Sequence, residues 1–302
     1  MKISVIGMGR VGSATAFALV TRGVPSELIC VGSTPESVEG DVVDLQHASA
    51  FIRPMRICAG TIEETAGSNI IIVAACRATD SGGDRLHAAA PNAALLREII
   101  PPLVKASPNA IFLILSNPVD VATYVALKAS RLSPRQVFGT GTLIDTGRFR
   151  ALLSAETGVN AQDIRAYILG EHGESQFPAL SVASAGGVKF KGGDARVQEI
   201  FEQARKAGWN VFEKKGYTNY AIAMSAMLIC DAIDHDSRAI MPVSTYVDGF
   251  HGVRDVCLSL PCVIGRHGVE QVLPIDLDES ETKQLRTSAA VLRKVIRQVA
   301  AT

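Results

Sequence analysis

The first half of the chain repeats one unit: a short apolar run rich in Val and Ile, a turn, and then a stretch of helical length. The apolar runs fall at residues 3–6, 28–31, 55–58, 70–75 and 111–115, and none alternates in polarity as a half-exposed strand does. Strands that are apolar on both faces belong to a parallel sheet covered by helices. Helical stretches at 11–21, 36–47 and 94–105 lie between them. The pattern predicts a doubly wound α/β domain of Rossmann type over residues 1–142. Beyond residue 143 the unit stops. Helical stretches at 195–215 and 220–234 then alternate with strand-like runs at 164–168, 179–183, 240–247 and 257–264, as in a mixed α+β domain extending over 143–302. The last helix opens on Asp278 and Glu281 at capping-box spacing, and Leu285, Ala289, Leu292, Ile296 and Val299 form one apolar stripe expected to face the core.

Composition removes several classes of function. The 302 residues carry 30 Lys+Arg against 30 Asp+Glu, with 47% hydrophobic residues. Zero net charge leaves no global field to gather phosphates, so neither a nucleic acid nor a polybasic membrane contact is expected. The high apolar fraction excludes disorder. No run approaches the roughly 20 apolar residues of a membrane-spanning helix, and the start MKISVIG lacks the long apolar region of a signal peptide. Cys30, Cys58, Cys76, Cys230, Cys257 and Cys262 form no CxxC pair, and four of them lie in apolar runs. Reduced core thiols of a cytoplasmic protein fit that usage. His47, His87, His235, His251 and His267 show no ligand spacing, so no metal is expected.

The run Gly7-Met8-Gly9-Arg10-Val11-Gly12 sits where the first strand ends and the first helix begins. There Gly7 permits a tight turn, Gly9 lets a pyrophosphate approach the backbone, and Gly12 lets helix and strand pack closely. Arg10 and Val11 in the same turn, and Ala75 where the fourth run ends, join the expected dinucleotide contacts. The acid that binds the ribose normally lies about 20 residues on. Here that place holds Gly32, followed by Ser33 and Thr34, with no Arg or Lys before Gly40. Without a carboxylate nothing repels a 2′-phosphate, so NADP or dual use is expected over NAD alone.

A second group of residues could carry chemistry. The segment Leu169-Gly170-Glu171-His172-Gly173-Glu174-Ser175 places one histidine between glycines, and Asp145 and Arg148 lie three apart at a predicted helix start. Arg85 ends the polar loop Thr79-Asp80-Ser81-Gly82-Gly83-Asp84-Arg85. With Asp44-Leu45-Gln46-His47, Ser116-Asn117-Pro118-Val119-Asp120, GTGTLIDTGRFR, LGEHGESQFP, KKGYTNYAIAMS and LSLPCVIGRHGV, these residues resemble the L-lactate/malate dehydrogenase family nearly end to end. GEHGESQF and KGYTNYAIAMS are closest to its L-lactate and L-2-hydroxyisocaproate dehydrogenase side.

The resemblance implies a hydride transfer between a nicotinamide cofactor, NAD or NADP, and a small 2-oxo or L-2-hydroxy acid. His172 would be the proton donor, suited by an ordinary pKa near neutrality. Asp145 would hold the other ring N–H, Arg148 would bind the substrate carboxylate as a planar fork, and Arg85 would close over the carbonyl. Asn117 would hold the substrate oxygen or the histidine, with a cis peptide before Pro118, and Thr218 and Ile222 would face substrate and nicotinamide. The position that discriminates substrates in the family is Thr79, small and neutral, which favours pyruvate or a bulkier 2-oxo acid over oxaloacetate. Two departures stand out: Cys76 replaces a family glycine, and Arg77 lies near enough to offer a malate-like site. Arg150 is expected to be a surface charge; its alternative is an anionic effector contact with Arg165. The resemblance also implies a homo-oligomer, a tetramer or dimer. The rival readings are a malate dehydrogenase and a dinucleotide-binding protein without catalysis.

Overall fold

The computed structural model describes residues 1–77, 85–190 and 195–300, and of 85–88 the backbone alone. In chain order the elements are β1 (Lys2–Ile6), α1 (Arg10–Arg22), β2 (Glu27–Val31), α2 (Glu39–Ser49), β3 (Arg56–Ala59), β4 (Ile70–Val73), α3 (Arg85–Ala106), β5 (Ile111–Ile114), α4 (Val119–Ser130), β6 (Val137–Gly139) and α5 (Leu143–Thr157). They are followed by β7 (Ile164–Arg165), β8 (Ile168–Leu169), β9 (Phe177–Pro178), β10 (Ser184–Ala185), β11 (Val188–Lys189), α6 (Ala195–Lys215), α7 (Tyr220–Asp234), β12 (Ala239–Asp248), β13 (Arg254–Gly265), β14 (Gly268–Val272) and α8 (Glu279–Ala300).

The main sheet has the strand order β14-β13-β12-β6-β5-β4-β1-β2-β3. Strands β1 to β6 pair in parallel, and the apolar runs of β1, β2, β4, β5 and β6 are buried on both faces as the absence of alternation predicts, whereas edge strand β3 buries only Ile57 and leaves Arg56 exposed. Strand order reverses between β1 and β4, which opens a crevice at their C-terminal ends. The second half does not stand apart from this sheet. β12 adds antiparallel to β6, with Ser244 opposite Gly139, and β13 and β14 continue it. A smaller second core of Phe149, Leu153, Ile164, Ile168, Ile200 and Phe201 holds α5 and α6 together, with Phe149 and Phe201 edge to face at 6.3 Å.

Helices α6 and α7 occupy the predicted spans, and the stripe on α8 is buried at every position. Its capping box forms: the Glu281 N–H donates to Asp278 Oδ1 at 2.8 Å, and the Asp278 N–H to Glu281 Oε2 at 3.1 Å. Two strand expectations fail because side chains remote in sequence take their backbone groups. The run 164–168 breaks into β7 and β8 because the Ala166 carbonyl is taken by Arg150 Nε at 2.9 Å. The run 179–183 becomes a 3-10 turn, Leu180–Val182, because Glu281 accepts both the Ser181 N–H at 2.9 Å and its hydroxyl at 2.5 Å. Among the described residues no helix is long and apolar enough to cross a membrane.

Candidate active site

Two neighbouring clefts meet at the crevice. The first, about 720 Å³, is lined by Gly7, Gly9, Gly32, Ser33, Thr34 and Ala75 among others. Its floor is backbone. Gly7 has φ +91, and a Cβ there or at Gly12 would collide with Ala75 or with the Gly7 carbonyl; Gly9 faces open space. Helix α1 starts from Gly9 with no acidic residue in its first turn, so unpaired N–H groups and the positive end of the helix face the cleft. A pyrophosphate fits such a turn. At the far end, Gly32 lies at the tip of β2, and a Cβ there would run into Ser37 Oγ and Val38. The Ser37 hydroxyl donates to the Thr34 carbonyl at 2.6 Å and fills the room an acid at 32 would use. The charged side chains among the described lining residues are Glu63 and Glu98. Arg10 lies outside this cleft, its guanidinium 4.3 Å above the Tyr217 ring, and Val11 faces the second cleft.

The second cleft, about 310 Å³, brings Asn117, Asp145, Arg148, His172, Thr218 and Ile222 together. Asp145 and Arg148 share a face of α5 and pair at 3.1 Å. The other oxygen of Asp145 lies 2.5 Å from His172 Nδ1. This contact spans two segments that are pinned to each other: the Thr142 hydroxyl donates to the Ile168 carbonyl at 2.5 Å, and the Thr146 hydroxyl accepts the Ile168 N–H at 2.9 Å. β8 is thereby fastened to α5, and the histidine loop follows β8. Burial opposes charge on Asp145, but His172 and Arg148 outweigh it and hold the carboxyl below its ordinary value. Burial also opposes the imidazolium, yet Asp145 and then Asp120 outweigh it and raise His172. Asp145 is 2% exposed, whereas the His172 ring, 27% exposed, can meet a ligand.

Of the remaining expected residues, Thr79 lies outside the described residues, and Arg85 is described only as the first residue of α3. The peptide between Asn117 and Pro118 is cis. Arg77 does not enter the second cleft: its guanidinium pairs with Glu98 at 3.0 Å, and its N–H donates to Asn92 Oδ1 at 2.8 Å. Asn92 in turn donates to the Asn117 carbonyl at 2.8 Å and fixes that turn. Arg150 departs from the surface expectation, since it is half-buried, bonded to the Ala166 carbonyl and 5.2 Å above the Tyr167 ring. Cys76 lines the first cleft and is exposed. Sequence reading missed Gly208, Trp209 and Phe212, which wall the second cleft from α6. The signal at Gly208 was a glycine inside a helix: a Cβ there would press on the Arg148 guanidinium at 3.0 Å.

A dinucleotide cleft at the switch of a doubly wound sheet, opening beside a buried carboxylate that holds a histidine, puts the chain in the class of Rossmann-fold oxidoreductases. Comparison with known proteins narrows that class to one family. Residues 1–139 match the lactate/malate dehydrogenase NAD binding domain, and residues 142–302 match the α/β C-terminal domain of the same family. An L-lactate dehydrogenase of Synechococcus sp. (strain JA-3-3Ab) is 41% identical over 301 residues, covering 98% of each chain. Among solved structures, a lactate dehydrogenase from a Medee basin deep-sea metagenome library superposes with a TM-score of 0.95 at 32% identity, covering 99% of this chain and 98% of its own. The minor L-lactate dehydrogenase of Enterococcus mundtii superposes at 0.94 with 30% identity over the same shares. The chain belongs to the lactate/malate dehydrogenase family.

Proposed function

We propose that this chain is an L-2-hydroxy acid dehydrogenase that interconverts pyruvate, or a bulkier 2-oxo acid, and the L-2-hydroxy acid. The observation that carries the reading is the contact of His172 Nδ1 with Asp145 at 2.5 Å, in a cleft that also holds Arg148. A nicotinamide dinucleotide in the neighbouring cleft supplies or accepts the hydride. His172, kept protonated by Asp145, gives its Nε2 proton to the carbonyl oxygen as the hydroxyl forms, and takes it back in the oxidation. Asp145 fixes the tautomer and steadies the imidazolium. Arg148 binds the substrate carboxylate, Arg85 polarises the carbonyl and excludes water, and Asn117 holds the substrate oxygen. Thr218 and Ile222 keep the wall between substrate and nicotinamide dry.

Thr79 offers no cation for a second substrate carboxylate, and Arg77, paired with Glu98 at 3.0 Å, does not line the second cleft. Both favour a monocarboxylate over oxaloacetate. The cofactor contacts are Gly7, Gly9, Gly12, Gly32, Ser33, Thr34 and Ala75, with Val11, Asn117 and Ile222 on the nicotinamide side; Arg10, stacked on Tyr217, stands outside the cleft. Gly32 supports use of both NADH and NADPH, because no carboxylate there selects against a 2′-phosphate. We place the boundary of the dinucleotide-binding unit at 142/143, the protein in the cytoplasm, and a second copy over the apolar face formed by Phe17 of α1 with Tyr220, Met224 and Leu228 of α7. Light scattering tests that assembly.

The deciding experiment follows the oxidation of NADH and of NADPH, separately, with pyruvate, oxaloacetate and 2-oxoisocaproate. Preference for pyruvate or the branched acid is expected with both cofactors. Preference for oxaloacetate would overturn the Thr79 argument, and no turnover with any pair would leave a dinucleotide-binding protein without catalysis.

A further inference from the structure

A second carboxylate stands behind His172 and takes no part in the mechanism above. Asp120, in the first turn of α4, is 2% exposed, yet both its oxygens are engaged. Oδ2 accepts the main-chain N–H of His172 at 2.7 Å, and Oδ1 accepts the hydroxyl of Ser244 at 2.6 Å. Ser244 is fully buried on β12, opposite Gly139 of β6. One side chain therefore ties the histidine loop to the α4 turn that carries Asn117 and to the central sheet. Asp145 grips the ring of His172 and Asp120 grips its backbone, so the imidazole is held from two sides.

We propose that Asp120 is a positioning residue for His172, whose buried carboxylate anchors the loop and supplies a second negative charge in support of the imidazolium. The proposal rests on the acid–base role given to His172 above. Two bonds to a buried carboxylate are more than anchoring needs, since a neutral amide could accept the same N–H. The charge has its own effect. Around the imidazole stand Asp145 and Arg148 of α5 and Asp120 of α4, and Asp120 itself also faces Glu171 and, on β13, Cys257. Arg148 opposes the imidazolium, and the two aspartates favour it. Burial pushes the Asp120 carboxyl up and the Ser244 hydroxyl, the His172 N–H and the imidazolium pull it down, and the balance leaves it raised to about 7. Its negative charge is favoured by those two donors and by the imidazolium, and opposed by burial and by Glu171.

The test separates anchoring from charge. Asp120→Asn keeps an oxygen for the His172 N–H and presents its amide to Ser244, whose hydroxyl can accept. The pKa of His172 is read by NMR from protein carrying 13C-labelled histidine, with the signal assigned by its loss in His172→Gln. This readout needs no turnover, so it stands whether or not pyruvate proves to be a substrate. Asp120→Asn is expected to lower the His172 pKa by about one unit, the size of shift one nearby charge produces. In an active enzyme the fall of pyruvate reduction with pH moves down by the same amount. An unchanged His172 pKa in folded Asp120→Asn overturns the proposal. Should that variant not fold, Ser244→Ala serves in its place. It removes one donor from Asp120, favours the neutral carboxyl, and is expected to lower the His172 pKa by a smaller step; no change there also overturns the proposal.

Discussion

The two clefts that meet at the sheet crevice are built from different materials. The dinucleotide cleft is shaped by what side chains leave out: Gly7, Gly9, Gly12 and Gly32 bring backbone to the surface, and the helix end of α1 supplies the polarity. The second cleft is shaped by charge, with Asp145 paired to both Arg148 and His172 and Asp120 holding the His172 main chain. Damage to the first should appear in folding and cofactor affinity. Damage to the second should appear in turnover while the fold survives.

Replacing His172 with Ala gives the largest expected effect. Turnover should fall by about a thousandfold or more, the usual share of a positioned proton donor, while NADH binding, read by fluorescence, stays near normal. Comparable losses of both would erase the contrast between the clefts. Arg148→Lys comes next. Lysine keeps the charge but loses the fork, and charged hydrogen bonds of this kind are worth about 1.5–3 kcal/mol. The KM for pyruvate should rise about tenfold to a hundredfold; a change confined to kcat would mean that Arg148 does not hold the carboxylate.

Gly12→Ala probes the other cleft. Its methyl would meet the Gly7 carbonyl, and overpacking costs about 1–3 kcal/mol. A thermal midpoint lowered by several degrees together with weaker NADH binding is expected, and an unaltered midpoint would show that the turn has slack. The pH dependence brings back the second cleft. Because Asp145 and Asp120 raise His172, pyruvate reduction should hold to a higher pH than an ordinary histidine allows and fall about tenfold per pH unit only above the raised pKa, while lactate oxidation rises over the same range. A reduction profile that falls already below the ordinary histidine pKa would contradict the imidazolium's support.

The same difference decides what could be read before the fold was known. The glycine turn depends on residues adjacent in sequence, and the pair Asp145 and Arg148 on a three-residue spacing, so both were visible. The spans of α6 and α7 were visible too, because their apolar periodicity is uninterrupted. What stayed hidden depends on distant partners. Arg150 takes the Ala166 carbonyl, and Glu281 takes Ser181 from 100 residues away; both contacts dissolve strands that local pattern favours. Helix α3 begins at Arg85, well before the expected 94, and carries Pro91, Pro101 and Pro102 inside it. Asn92, Ser37 and Asp120 are ordinary polar residues until the turns they hold are known.

The smallest expected effect concerns cofactor choice. At Gly32 the backbone lies outside the left-handed region, so an aspartate is conformationally allowed, but Ser37 occupies its space. The triple change Gly32→Asp with Ser37→Gly and Val38→Ala frees that room and restores a carboxylate at the end of β2. It should favour NADH over NADPH, because the new charge accepts from a 2′-hydroxyl and repels a 2′-phosphate. The rim is open to solvent, where charge interactions are worth about 1 kcal/mol or less. The ratio of kcat/KM for NADH to that for NADPH should therefore shift about fivefold, and less at high salt. A shift that salt does not touch would mean that discrimination comes from shape at Ser37 rather than from charge at 32.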